Sequence, residues 1–185
     1  MILPGHISGG YLATRAILYL VPIATSFSST QIIILYIVGI IASEGPDFDL
    51  IKFFFEHKSI KLQKKDSHRK YISHTPIFWL VISFAIILIG YIFGNSFVSI
   101  IGLIILGGSW SHLIFDSLEY GIMWLWPFSH KFYSIHSVTE EDINEQKGTI
   151  SYYWTFLTKY YIRRWTFYLE IIVTFIALLV FLDLL

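Results

Sequence analysis

The stretch YISHTPIFWLVISFAIILIGYIFGNSFVSIIGLIILGGSWSHLIF, residues 71–115, decides how this chain folds, because none of its 45 positions carries a formal charge. About 20 apolar residues let one helix cross a bilayer, so the tract has room for two crossings. Lipid offers no hydrogen-bond partner to a free backbone, so each crossing must be helical and the chain must turn back between them. Gly94-Asn95-Ser96 is suited to that turn and predicts helices near 75–93 and 97–118.

Working outward, a second uncharged tract of 28 residues lies between Arg15 and Glu44. It breaks at the small polar run from Thr25 to Thr30, giving helices near 8–25 and 30–44, the latter capped by Ser29 or Thr30. A last helix near 166–185 is apolar apart from Glu170 and Asp183 and acts as a C-terminal anchor. Pro46 closes the second helix, and Pro127 ends or kinks the stretch after the fourth. The expected fold is all-α: a polytopic membrane bundle of about five helices in one domain, 1–185.

Twelve of the thirteen basic residues fall in two polar segments, 45–74 and 128–165, and none falls in the two short turns. The positive-inside rule puts both segments in the cytoplasm, with the N-terminus inside and the C-terminus outside a cytoplasmic (inner) membrane crossed several times. The start Met-Ile-Leu-Pro-Gly-His lacks the basic region and cleavage site of a signal peptide, so the first hydrophobic segment is expected to stay.

Composition narrows the chemistry. Lys plus Arg and Asp plus Glu both number 13, which gives no charge excess for nucleic acid. There is no Cys, so disulfides, thiolate metal sites and a cysteine nucleophile are excluded, and any metal must sit on nitrogen and oxygen. The aromatic residues Tyr120, Trp124, Trp126 and Phe128, with Tyr152, Tyr153, Trp154, Tyr160, Tyr161 and Trp165, read as an interfacial belt. His57, His130 and His136 sit in loops and read as solvated; Thr139-Glu140-Glu141-Asp142 reads as a solvated helix start.

The topology gathers distant residues at one membrane face. His6 opens the first helix, Asp47 and Asp49 follow the second, His68 and His74 precede the third, and His112 and Asp116 lie toward the end of the fourth. Nitrogen and oxygen donors converging from four chain positions are what a site for one or two ions of zinc or a similar divalent metal requires. His112 and Asp116, four apart, share a helix face and either bind metal or form an orienting pair. Ionisable groups inside an apolar helix are costly to insert, which favours function, and the neighbouring Gly107-Gly108, Ser109 and Ser111 permit close approach. Gly45-Pro46 aims Asp47 and Asp49, which share a side if the stretch is extended; alone, the motif is also an ordinary helix-ending turn. Arg69 is suited to gripping an anionic group such as phosphate, whereas Lys58 to Lys65 read as a lipid-headgroup run.

Five short motifs in order resemble the bacterial and archaeal family of small membrane-bound, metal-dependent hydrolases: His6; Gly45-Pro46-Asp47-Phe48-Asp49; His68-Arg69 with Ser73-His74-Thr75; His112-x-x-x-Asp116; and Leu125-Trp126-Pro127-Phe128-Ser129. The resemblance covers residues 1 to about 130. Glu44 stands where that family has an apolar residue, and Ser73 and Thr75 are exchanged around His74. The dispersed ligands are more loosely similar to zinc-dependent phospholipases C. The family resemblance implies a hydrolase without settling its substrate, and the looser likeness suggests phosphoester chemistry; the expected substrate is a lipid-like or amphiphilic ester, a phosphoester foremost. His68, His112 and Asp116 would hold one metal; Asp47, Asp49 and His6 would share a second. His74 would be a ligand or proton shuttle, and Arg69 would steady developing negative charge. Membrane lipids are the expected partners. Two rival readings also use such residues: a metal-ion or proton transporter, which the apolar outer halves of helices two to four disfavour, and a noncatalytic scaffold with a structural metal.

Overall fold

The computed structural model describes residues 2–58, 68–135 and 149–184. Lys61, Lys64, Lys65, His136, the acidic cluster at 139–142 and Lys147 lie outside the described residues. Seven α-helices run through the rest: α1 Leu3–Leu20, α2 Ser29–Glu44, α3 Asp49–His57, α4 Pro76–Ile92, α5 Ser96–Ser117, α6 Thr149–Thr155 and α7 Trp165–Phe181. Among the described residues there is no strand, only an isolated bridge between Ile122 and Tyr133. The fold is all-α, as the charge-free tracts imply.

Helix ends follow local chemistry, and several differ from expectation. α1 starts earlier because Pro4 occupies its first turn and the Ile2 and Gly5 amides donate to the Glu170 carboxylate at 3.3 and 2.8 Å. It stops at Leu20 because Val21, preceding Pro22, is held extended. The cap of α2 is Ser28, not Ser29 or Thr30: its Oγ accepts from the Gln31 amide while Gln31 Oε1 accepts from the Ser28 amide, a capping box. Asn95 Oδ1 accepts from the Val98 amide to start α5, and Gly94 supplies the positive φ of +61° that the turn needs.

The polar segments contain structure that apolar periodicity does not signal. Pro46–Phe48 forms a 3₁₀ turn and α3 continues from it, the pair bent 54° from α2. In the second segment α6 runs on through a π-helical turn at Phe156–Tyr160. By length and composition α5 can cross a membrane alone; two bent pairs qualify as broken spans, and Pro76–Ile92 is apolar but short. One to three crossings are therefore available on that measure among the described residues, against the five expected. α2, α4 and α7 are short, with 16, 17 and 17 residues, and the 18-residue α1 is diluted by His6, Arg15 and its small polar residues.

Packing is inverted relative to a water-soluble protein. Ile33, Ile37, Ile41, Phe84, Leu88, Ile172 and Phe175 are exposed, while Ser8, Thr14, Ser43, Ser83 and Ser109 are buried. Lipid tails solvate isoleucine as well as a protein core does, so helices in a bilayer gain by bringing small residues and backbones close. α1, α2 and α5 do this at Gly10, Gly39 and Gly108: a Cβ on Gly108 would stand 2.6 Å from the Gly39 carbonyl oxygen and 3.0 Å from Ala42 Cβ. Toward the other end, Leu35, Ile100 and Ile104 form a compact apolar cluster against Ile17, Val21 and Phe27.

Gly108→Val is expected to overpack the α2–α5 contact and cost about 1–3 kcal/mol, read as a lower thermal midpoint in detergent. Ile37→Val, on the exposed face, is the control and should leave the midpoint unchanged.

Candidate metal centre

The α2–α5 contact brings the Ser43 carbonyl to His112. A carbonyl only accepts, so the His112 Nδ1–H donates to Ser43 O at 2.7 Å, and Nε2 is left as the bare nitrogen. His74 is fixed similarly: its Nδ1–H donates to Asp49 Oδ2 at 2.6 Å, and the Ser73 hydroxyl holds the same oxygen at 2.8 Å. His74 and His112 are wholly buried, and the Nε2 of each has no hydrogen-bond partner. A buried bare nitrogen is costly unless something accepts its lone pair.

Those nitrogens converge on Asp47. Its Oδ1 lies 3.2 Å from His68 Nε2, 3.4 Å from His74 Nε2 and 3.6 Å from His112 Nε2. A tetrahedral ion with Zn–N distances near 2.0–2.1 Å has ligand–ligand edges of about 3.3–3.4 Å, so these separations suit a common ion. On the other side, Asp116 Oδ2 is 3.9 Å from His74 Nε2 and 3.8 Å from His112 Nε2. His6 stacks on His112 with ring centroids 3.9 Å apart, and its Nε2 stands 3.6 Å from Asp116 Oδ1. Three groups among the described residues have donors close enough to hold a metal: His6, Asp47 and His112; Asp47, His68 and His74; and His74, His112 and Asp116.

All seven expected residues thus meet, but the partition differs: His68 groups with Asp47 and His74 and not with His112 and Asp116, and Asp47 and His6 group with His112 and not with Asp49. Asp49 joins none of the three groups. Residues 46–48 form a 3₁₀ turn and not an extended strand, so Asp49 holds Nδ1 of His74 while Asp47 Oδ1 faces the bare Nε2 on the opposite edge of the ring, 3.4 Å away. Asp49 therefore orients a donor from behind.

Arg69 also stands differently from expectation. It is buried, its Nε donates to Asp116 Oδ2 at 2.5 Å, and its guanidinium lies 4.0 Å from the Tyr120 ring centroid. Burial acts against its charge, but Asp116 and Asp47 outweigh it and hold the guanidinium firmly protonated. His68 is pushed below the ordinary histidine range, first by burial and then by the Arg69 charge, against the opposing hydrogen bond between its Nε2 and Asp47.

Sequence reasoning missed several participants. Tyr152 and Tyr161 are buried and do not belong to an interfacial belt, Tyr120 is half-buried against Arg69, and Phe128, Trp154 and Trp165 remain exposed. Glu119 accepts from Arg164 and Thr166, and Glu170 accepts from Tyr161 besides the α1 amides; both are buried. A carboxylate in an otherwise apolar helix is the signal that marks Glu170 in advance. Glu44, noted above only as a departure from pattern, has a buried Oε1 without a partner.

The fold and site define an all-helical membrane protein with a possible metal-binding cluster of histidine and aspartate. The YdjM inner membrane protein family model matches residues 1–184, and the chain belongs to that family. No curated protein and no solved structure matches it. The family establishes an inner-membrane protein; it lends no support to the likeness with metal-dependent hydrolases or phospholipases C, which rests on the short motifs alone.

Asp49→Ala should release His74 and weaken metal binding about 10–100-fold, measured by cobalt(II) titration against a competing chelator. Arg69→Met removes the partner of a fully buried carboxylate and should destabilise the fold by about 3–5 kcal/mol in thermal unfolding. A residue serving only to grip substrate would leave stability unchanged.

Proposed function

We propose that this YdjM-family chain is a metal-dependent hydrolase embedded in the membrane, acting on a phosphoester of a lipid-like or amphiphilic substrate. In this reading α1, α2, α4, α5 and α7 are the five membrane helices, and the site faces the cytoplasm with the N-terminus. The supporting observation is the convergence of two buried, unpartnered Nε2 atoms, on His74 and His112, toward Asp47 Oδ1, each ring fixed from behind.

Three overlapping groups are suited to hold one or two divalent ions: Asp47 with His68 and His74, Asp47 with His6 and His112, and Asp116 with His74 and His112. The nitrogen-and-oxygen donor set suits zinc. Bound there, the metal would lower the pKa of a coordinated water and supply hydroxide near neutral pH. His74 has one nitrogen committed to Asp49, so it serves as a ligand and not also as a proton shuttle. Arg69 holds Asp116 in place and contributes positive charge at the back of the site. Asp47, 28% exposed where the histidines are buried, marks the side from which substrate approaches.

One observation favours a second reading. Asp47, His68, His74 and His112 are four donors, enough to close a tetrahedral shell, and a closed shell is the mark of a structural metal. The protein would then be a noncatalytic scaffold.

Mass spectrometry of detergent-purified protein should find stoichiometric metal in the wild type, lost in His112→Ala and Asp116→Ala. Metal-free, folded wild type overturns the metallohydrolase. With metal present, chelator-sensitive cleavage of lipid phosphoesters supports the enzyme; a cobalt-substituted protein whose absorption ignores added phosphate supports the scaffold.

A further inference from the structure

α3 buries one face and leaves another, more apolar, uncovered. At about 100° per residue, Asp49, Phe53 and His57 point toward the protein, Ile51, Phe54 and Phe55 share an outward arc, and Lys52 and Glu56 lie on the edge between. Phe53 is fully buried, whereas Ile51, Phe54 and Phe55 are 61%, 44% and 65% exposed. Phe48, just before the helix, is exposed as well. Nine residues span about 13–14 Å, far less than a hydrocarbon core of about 30 Å, and the 54° bend turns α3 away from the line of α2.

The charges beside this arc are basic. Lys52 and Lys70 both lie against the Tyr71 ring, at 4.6 and 5.6 Å, and Lys58 caps the helix in the left-handed conformation with its ammonium over Phe55. Glu56 is engaged by Lys52 and by the Tyr71 hydroxyl. Apolar side chains on one face with lysines at its margin form the pattern of a helix lying in the plane of a membrane interface.

We propose that α3 is an in-plane interfacial helix that seats Ile51, Phe54 and Phe55 at the headgroup–acyl boundary, with Lys52, Lys58 and Lys70 against anionic phospholipid headgroups. This assignment does not depend on the metal reading. Because α3 begins at Asp49, its depth sets the depth of Asp47, so the exposed edge of the histidine cluster lies at the level of lipid headgroups.

The absence of cysteine makes single-site labelling clean. Ile51→Cys, Lys52→Cys, Phe54→Cys and Phe55→Cys, each at an exposed position, are spin-labelled in the full chain and reconstituted in phosphatidylcholine vesicles with or without phosphatidylglycerol. Labels at 51, 54 and 55 should collide with oxygen several-fold more than with an aqueous nickel chelate, and the label at 52 the reverse. Phosphatidylglycerol should deepen 54 and 55, and Lys52→Glu with Lys58→Glu should abolish that deepening. Nickel access at 51, 54 and 55 equal to that at 52 places α3 in water and overturns the proposal. Lipid-only access at all four makes α3 part of a crossing span and equally overturns it. Indifference to phosphatidylglycerol overturns the anionic headgroups as the partner.

Discussion

The contact between α2 and α5 at Gly39, Ala42 and Gly108 is the constraint on which the rest depends. Without side chains to separate them, the two backbones approach until the Ser43 carbonyl reaches His112. That single hydrogen bond selects the tautomer, turns Nε2 inward and leaves it bare. The close approach costs nothing in hydrophobic burial, because lipid solvates the displaced isoleucines on the outside. A bilayer thus permits a bundle whose interior is small and polar enough to house a cluster of ionisable groups.

The same logic accounts for where the remaining donors come from. Asp47 sits on the turn after α2 and Asp49 at the first position of α3, and His68, Arg69 and His74 sit on two 3₁₀ turns that precede α4. Each is an interruption in regular helix, where backbone direction changes and side chains from a short stretch can point at one place. Asp49 and Ser43 then work from behind the histidines, and Arg69 from behind Asp116. α7 adds Glu170, which accepts the first amides of α1 and so fixes the turn that carries His6. The end of the bundle nearest the two polar segments is therefore organised by hydrogen bonds, and the far end by the apolar cluster of Leu35, Ile100 and Ile104.

Much of this was legible in the sequence, and the failures have identifiable causes. Charge-free tracts gave the all-α class and approximate boundaries for α2, α4, α5 and α7. The boundary of α1 shifted because Pro22 and the distant Glu170 act on its ends. α3 escaped notice because Asp49, Lys52 and Glu56 interrupt its apolar pattern, and α6 because its seven residues are too few to show a helical period. Tyr152 and Tyr161 look interfacial by type, yet both are buried, the Tyr161 hydroxyl donating to Glu170, and Tyr120 is half-buried under the Arg69 guanidinium.

By itself, the sequence determined a helical membrane protein and the inventory of donors, since charge spacing and residue type act locally and lipid enforces helix wherever charge is absent. Tertiary structure alone decided which nitrogen of each histidine faces inward, that Asp49 backs a ligand, that Arg69 locks Asp116, and that α3 leaves an apolar face uncovered. Those outcomes depend on distances between residues 25 to 69 positions apart in the chain, and only the packing of helices sets such distances.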